Sequence, residues 1–132
     1  MRKALALIIL FCPLAASSAE ITCKRSPALT GACRVVKGSL GLNPGLGVTL
    51  MSEDGTRIAI KPPPDSNADI APAVMQNWLY WQSKTGAMNT RITGAFQLCP
   101  LPPRPNAAGI KDFGCINAGS HIAVDKSAAP AQ

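Results

Sequence analysis

Four cysteines, Cys23, Cys33, Cys99 and Cys115, carry the chemistry easiest to name in this 132-residue chain. In an oxidising compartment they pair as two disulfides. Four cysteines admit three connectivities. Cys23 with Cys33 and Cys99 with Cys115 close the shortest local loops and are the favoured pairs, although spacing alone leaves the other two open. Zinc would need close ligands such as C-x-x-C. The cysteine intervals are long and irregular, and His121 is the only histidine, so neither a metal nor any other cofactor is expected.

Catalysis has few candidates. A hydrolase needs a nucleophile with a base beside it, and His121 lies between Ser120 and Asp125. Neighbouring positions on one strand point to alternate faces, so nearness in sequence builds no triad. Glu53 and Asp54 are the obvious carboxylate pair for a glycosidase, but they fall in a Ser-Glu-Asp-Gly-Thr turn, where Asp serves backbone hydrogen bonding. The glycines Gly41, Gly45 and Gly47 match neither a P-loop nor a dinucleotide fingerprint. No catalytic residue is assigned.

Binding has better candidates. Trp78, Tyr80 and Trp81 form an aromatic cluster. Trp78 and Trp81 share helical spacing with Val74 and read as core, whereas Tyr80 points elsewhere and is a contact candidate. Lys37, Arg57, Lys61 and Arg91 fall on outward strand positions and would form a basic face if their strands lie side by side. No Phe, Tyr or Trp interleaves with them as in sequence-tolerant nucleic-acid binders, so nucleic acid is not the expected partner.

These residues must be delivered to one place. Arg2 and Lys3, an apolar run over residues 4–11, Pro13 and the small residues to Ala19 read as a signal peptide, residues 1–19, cleaved after Ala19. The run is too short for a membrane span, and Phe11 before Cys12 speaks against a lipid anchor. The leader takes Cys12 with it. Eleven basic side chains then face seven acidic ones, a net charge of about +4. The expected address is periplasmic or secreted.

Beyond the leader, alternation of apolar and polar residues predicts a strand over 34–40, a loop over 41–47 and a hairpin of 48–51 with 57–61. In that hairpin Val48, Leu50, Ile58 and Ile60 face the core, and Arg57, Ala59 and Lys61 face outward. Pro62, Pro63 and Pro64 make a stiff connector. Ile70, Val74, Trp78 and Trp81 predict a helix over 71–83 with Gly86 after its end. Strands follow over 89–98 and 115–124, separated by a proline-stiffened loop, and an alanine-rich tail over 125–132 is expected to be disordered. Three strands, a helix and two strands match the order of a small five-stranded OB-like barrel over residues 20–124, mainly β, with one short helix between strands 3 and 4. A β-sandwich is the competing architecture.

Three segments, Cys33-Arg-Val-Val-Lys-Gly-Ser-Leu40, Gly94-Ala-Phe-Gln-Leu-Cys-Pro100 and Cys115-Ile, resemble those of small exported bacterial proteins of unknown function. The resemblance implies an OB-like β-barrel and no particular activity. The chain departs from that pattern at Gly114, where an apolar residue is usual, and at Lys37, where many members carry His.

The functional expectation is an exported binding or interaction module that docks an envelope protein or an anionic polymer through its basic barrel face. The alternative is a small cell-wall or glycan hydrolase using Glu53, Asp54 or His121. A purely structural envelope component is a third reading, marked by self-association.

Overall fold

The computed structural model describes residues 22–126; the expected leader, residues 1–19, residues 20–21 and the last six residues of the expected tail lie outside them. A 3-10 turn, Cys23–Arg25, opens the described chain. Five strands follow, β1 (Arg34–Asn43), β2 (Gly47–Ser52), β3 (Arg57–Ile60), β4 (Ile92–Leu101) and β5 (Asp112–Val124), with the helix α1 (Pro72–Thr85) between β3 and β4. The sheet closes in the order β1-β2-β3-β5-β4 and back to β1. Every pairing is antiparallel except the short parallel one between β3 and β5. This is the OB-type barrel that the element order predicts.

Alternation builds the interior. Val36 and Leu40 of β1, Leu50 of β2, Ile58 and Ile60 of β3, Ile92, Phe96 and Leu98 of β4 and Ile116 of β5 form one buried cluster, and Val48 packs against it half-buried. The helix begins on Pro72, whose missing N–H would be unpaired there anyway, and ends on Gly86 in the left-handed region at φ 70°. Its face of Val74 and Trp78 joins the same cluster, with Trp81 partly buried beside them. The Trp78 indole N–H donates to the Thr90 carbonyl at 2.8 Å, so the ring is buried without an orphaned donor.

Residues 41–43 are strand, where a loop is expected. Gly41 pairs with Thr49 and Leu42 with Val48. The glycine serves close approach rather than a turn, because a Cβ at Gly41 would stand 2.6 Å from the Arg91 guanidinium lying over it. β5 likewise starts at Asp112, three residues before the expected Cys115.

The larger departure is on the outside of the barrel. Ala59 points outward as predicted, yet it is buried. It belongs to a second cluster with Cys23, Cys99, Leu101, Ile110, Phe113 and Cys115, against which Ala28, Leu29, Cys33 and Leu46 pack. The N-terminal segment, residues 22–33, crosses this outer face as a strap.

The disulfides hold that strap, and they are not the favoured local pairs. Cys23 bonds Cys115, with Cα atoms 5.9 Å apart, and Cys33 bonds Cys99, with Cα atoms 4.1 Å apart. Cys99 and Cys115 are directly opposite on β4 and β5 and face the same side. Each accepts a cysteine from the strap above it. Loop length in the unfolded chain was the wrong criterion, because the fold brings residues 92 and 66 apart in sequence into contact.

Asp125, the first residue of the expected tail, is tied to the barrel. Its backbone N–H donates to the Arg91 carbonyl at 2.9 Å, and its carboxylate accepts from Ser39 Oγ at 2.7 Å.

Candidate functional site

The outward face of β2 and β3 is built from Thr49 opposite Ala59 and Met51 opposite Arg57. Two loops flank it. Residues 44–46 turn from β1 to β2 through a Leu46 N–H to Asn43 carbonyl bond of 3.1 Å, with Gly45 at φ 79°. The proline-rich loop 102–111 joins β4 to β5. Between these loops and β3 lies a cavity of about 170 Å³, lined by Leu46, Ala59, Lys61, Arg104, Ile110 and Phe113 among others. OB barrels bind ligands at this position, against the second and third strands and between the two loops.

The cavity has an apolar floor and a cationic rim. Lys61 Nζ donates to the Leu46 carbonyl at 3.0 Å, and Arg104 Nη2 donates to the Pro62 carbonyl at 3.1 Å. An ammonium has three donors and a guanidinium five, so each carbonyl positions its cation and leaves donors over. Asn106 braces the wall. Its side-chain NH2 donates to the Arg104 and Ile110 carbonyls at 3.0 and 2.8 Å, and its Oδ1 accepts from the Ile110 N–H at 2.9 Å. Among the described residues no carboxylate lines the cavity.

The four cations expected to form one face are placed differently from one another. Arg57 and Lys61 both face outward on or just beyond β3, four positions apart, about 13 Å along a strand. Lys37 is exposed on β1, and its carbonyl accepts from the Glu53 N–H at 3.1 Å. Arg91 is half-buried and engaged with β1. Its Nε and Nη2 donate to Ser39 Oγ and the Ser39 carbonyl, each at 3.0 Å. Together with Asp125 this clamps the end of β5 to β1. Tyr80 is exposed on α1, not on the strands; its ring meets Trp81 edge-on at 5.2 Å, and Lys84 Nζ stands 5.8 Å from its centre.

Sequence reasoning missed Arg104 and Asn106. Their only signal is an Arg and an Asn set among Pro102, Pro103 and Pro105, in a loop without periodicity.

The remaining polar groups do other work. Asp54 accepts from Ser52 Oγ and from the Thr56 N–H, the latter at 2.9 Å, closing the β2–β3 turn in which Gly55 sits at φ 89°. These donors, the Ser52 hydroxyl foremost, hold its carboxyl down from an ordinary 3.8 to about 2. A glycosidase acid needs the opposite shift. The folded-state value is depressed, so the turn's contribution is complete above pH 4 and disappears as pH falls through 2. Carboxyl chemical shifts are expected to titrate Asp54 near 2. In Ser52→Ala the midpoint moves up toward 3.8, and an unmoved midpoint would discard this account of the turn.

His121 occupies an exposed position on β5 at φ 53°, where the β4–β5 register shifts opposite Gly94. A left-handed residue there re-aims an edge, which is the ordinary use of a β-bulge. Asp125 is joined to Ser39 of β1. A larger hollow of about 1200 Å³ opens beside Thr22, the first described residue, and mixes Lys24 and Arg25 with Asp65 and Asp69. Among the described residues no three metal-ligating side chains cluster, and no helix is long and apolar enough to cross a membrane.

No protein-family model, no curated protein and no solved structure matches the chain.

Proposed function

We propose that this chain is an exported binding module of the small bacterial OB-barrel kind its motifs resemble, docking an anionic envelope polymer on the outer face of β2 and β3. The observation that carries the reading is the cavity between the two loops, with Lys61 and Arg104 on its rim and no carboxylate among the described residues of its lining. Arg57 is a further exposed cation on the same side of β3, beyond the covered Ala59. The two disulfides fit a protein made for an oxidising compartment, as the leader implies.

Polyphosphate and a polyuronate, titrated onto the oxidised protein, test the reading. Lys61→Glu with Arg104→Glu is expected to weaken binding at least about tenfold, roughly 1.4 kcal/mol. Rising salt should weaken wild-type binding as it screens the pair. Lys37→Glu, on a different strand, should change it much less. Equal binding by the double variant, or no binding of either polymer by the wild type, would overturn the reading. Cleavage of a glycan polymer by the pure protein would replace it with the hydrolase.

A further inference from the structure

We propose that the two disulfides form a thiol-exchange site: one dithiol reductant, acting on Cys33–Cys99, converts the native pairing into a Cys99–Cys115 cross-strand bridge and frees the strap of residues 22–33 from both its covalent ties. Three observations lead there.

The first is register. Cys99 and Cys115 are directly opposite on β4 and β5, and the Cys115 sulfur already lies 3.8 Å from the Cys99 carbonyl oxygen. Opposite residues on antiparallel strands have Cα atoms about 4.5–5.5 Å apart, inside the span a disulfide bridges. The strands therefore hold a third bonding partner ready beside each native bond.

The second is access. Cys33 is partly exposed, whereas Cys23, Cys99 and Cys115 are buried. A reductant in solution reaches the Cys33 sulfur first. Attack there forms a mixed disulfide with Cys33 and expels Cys99 as the thiolate. The second thiol of the reductant then resolves the mixed disulfide, leaving Cys33 as a thiol and the reductant oxidised by two electrons.

The third is what the new thiolate meets. Cys99 lies beside Cys115, whose sulfur is bonded to Cys23. The Cys99 thiolate attacks the Cys115 sulfur; the Cys99–Cys115 bond forms, the Cys23–Cys115 bond breaks, and Cys23 leaves and takes up a proton. The sheet keeps one bridge. The strap, now carrying thiols at Cys23 and Cys33, is held over Leu101, Ile110 and Phe113 by packing alone. A single two-electron reduction thus releases an apolar layer that two bonds had covered.

Limited reduction tests this directly. The oxidised protein receives one equivalent of dithiothreitol, free thiols are trapped with N-ethylmaleimide, and tryptic peptides are weighed; trypsin places the four cysteines in four peptides. In the single-bridge species label is expected on Cys23 and Cys33, with peptides 92–111 and 112–126 still joined, in more than about tenfold excess over the other single-bridge isomers. Label on Cys33 and Cys99 with Cys23–Cys115 intact would overturn the proposal. So would label on Cys23 and Cys115, or a mixture of untouched and fully reduced chains with no single-bridge species. Cys33→Ala adds a reading that needs no reductant. Its one thiol is expected to appear at Cys23, and a thiol at Cys99 would count against the exchange.

Discussion

Changing Cys23 and Cys115 to alanine together is expected to cost about 3–4 kcal/mol, and removing all four cysteines to leave the chain largely unfolded at 37 °C. The estimate follows from the nesting of the two bridges. With Cys33–Cys99 intact, the loop that Cys23–Cys115 closes runs only from Cys23 to Cys33 and from Cys99 to Cys115, 10 and 16 residues. Closing about 26 residues is worth roughly 3.5 kcal/mol in the chain-entropy account, and closing the inner 66 about 4 more. Their sum of about 8 kcal/mol is comparable with the whole 5–15 kcal/mol stability of an ordinary domain. Urea unfolding of the oxidised protein and the double variant measures the first quantity. A loss under about 1 kcal/mol would mean that the strap is held by its apolar contacts and that the bridges add little.

The same strap marks where sequence reasoning stops. The barrel interior was legible because Val36, Leu40, Leu50, Ile58, Phe96 and Leu98 recur at every second position of their strands, with a polar or small residue such as Lys37, Ser39, Thr49, Arg57 or Gln97 beside each, and because Pro72 and Gly86 punctuate the helix they bound. Alternation reports only which side of a strand a residue faces. It does not report whether that side meets water. Ala59 faces outward as the hairpin reading assigns, and Phe113 lies on the same side in the part of β5 that the sequence reading left as loop; both are covered by residues 22–33 and by the loop 102–111, neither of which has a period to read. The disulfide pairing failed for the same reason, because it depends on where an aperiodic segment lies.

The candidate site shows the same division. Arg57 and Lys61 followed from strand parity, and both stand on the outer face. Arg91 obeyed the parity too, yet it spends its guanidinium on Ser39 over the space that Gly41 leaves open, an arrangement visible only once β1 and β4 are paired. Arg104 lies in a loop where parity has no meaning. Its place on the cavity rim depends on Asn106, whose side chain ties the two ends of that loop segment together.

Phe96→Ala should produce the largest loss from any single core truncation, about 3–5 kcal/mol, or a fall in Tm of roughly 15–25 °C for a domain of this size. Phe96 is the largest of the completely buried side chains and lies among residues of β1, β4, β5 and α1. The backbone has been cleared around its ring. A Cβ at Gly94 would come within 3.2 Å of it and one at Gly119 within 3.1 Å, the latter also 3.1 Å from Val74 of the helix. Walls made of backbone and glycine cannot collapse far, so the space vacated by the ring stays largely empty, and the cost belongs at the upper end of the range. A double-mutant cycle sharpens the argument. Gly119→Ala in the native background should cost about 1–3 kcal/mol through overpacking against Phe96 and Val74. In the Phe96→Ala background the ring is gone, and the same methyl should cost less, giving a favourable coupling of about 1 kcal/mol. Additive losses in thermal or urea unfolding would show that the ring and Gly119 do not share one packing constraint, and that the helix is held against β5 by Val74 independently of the barrel core.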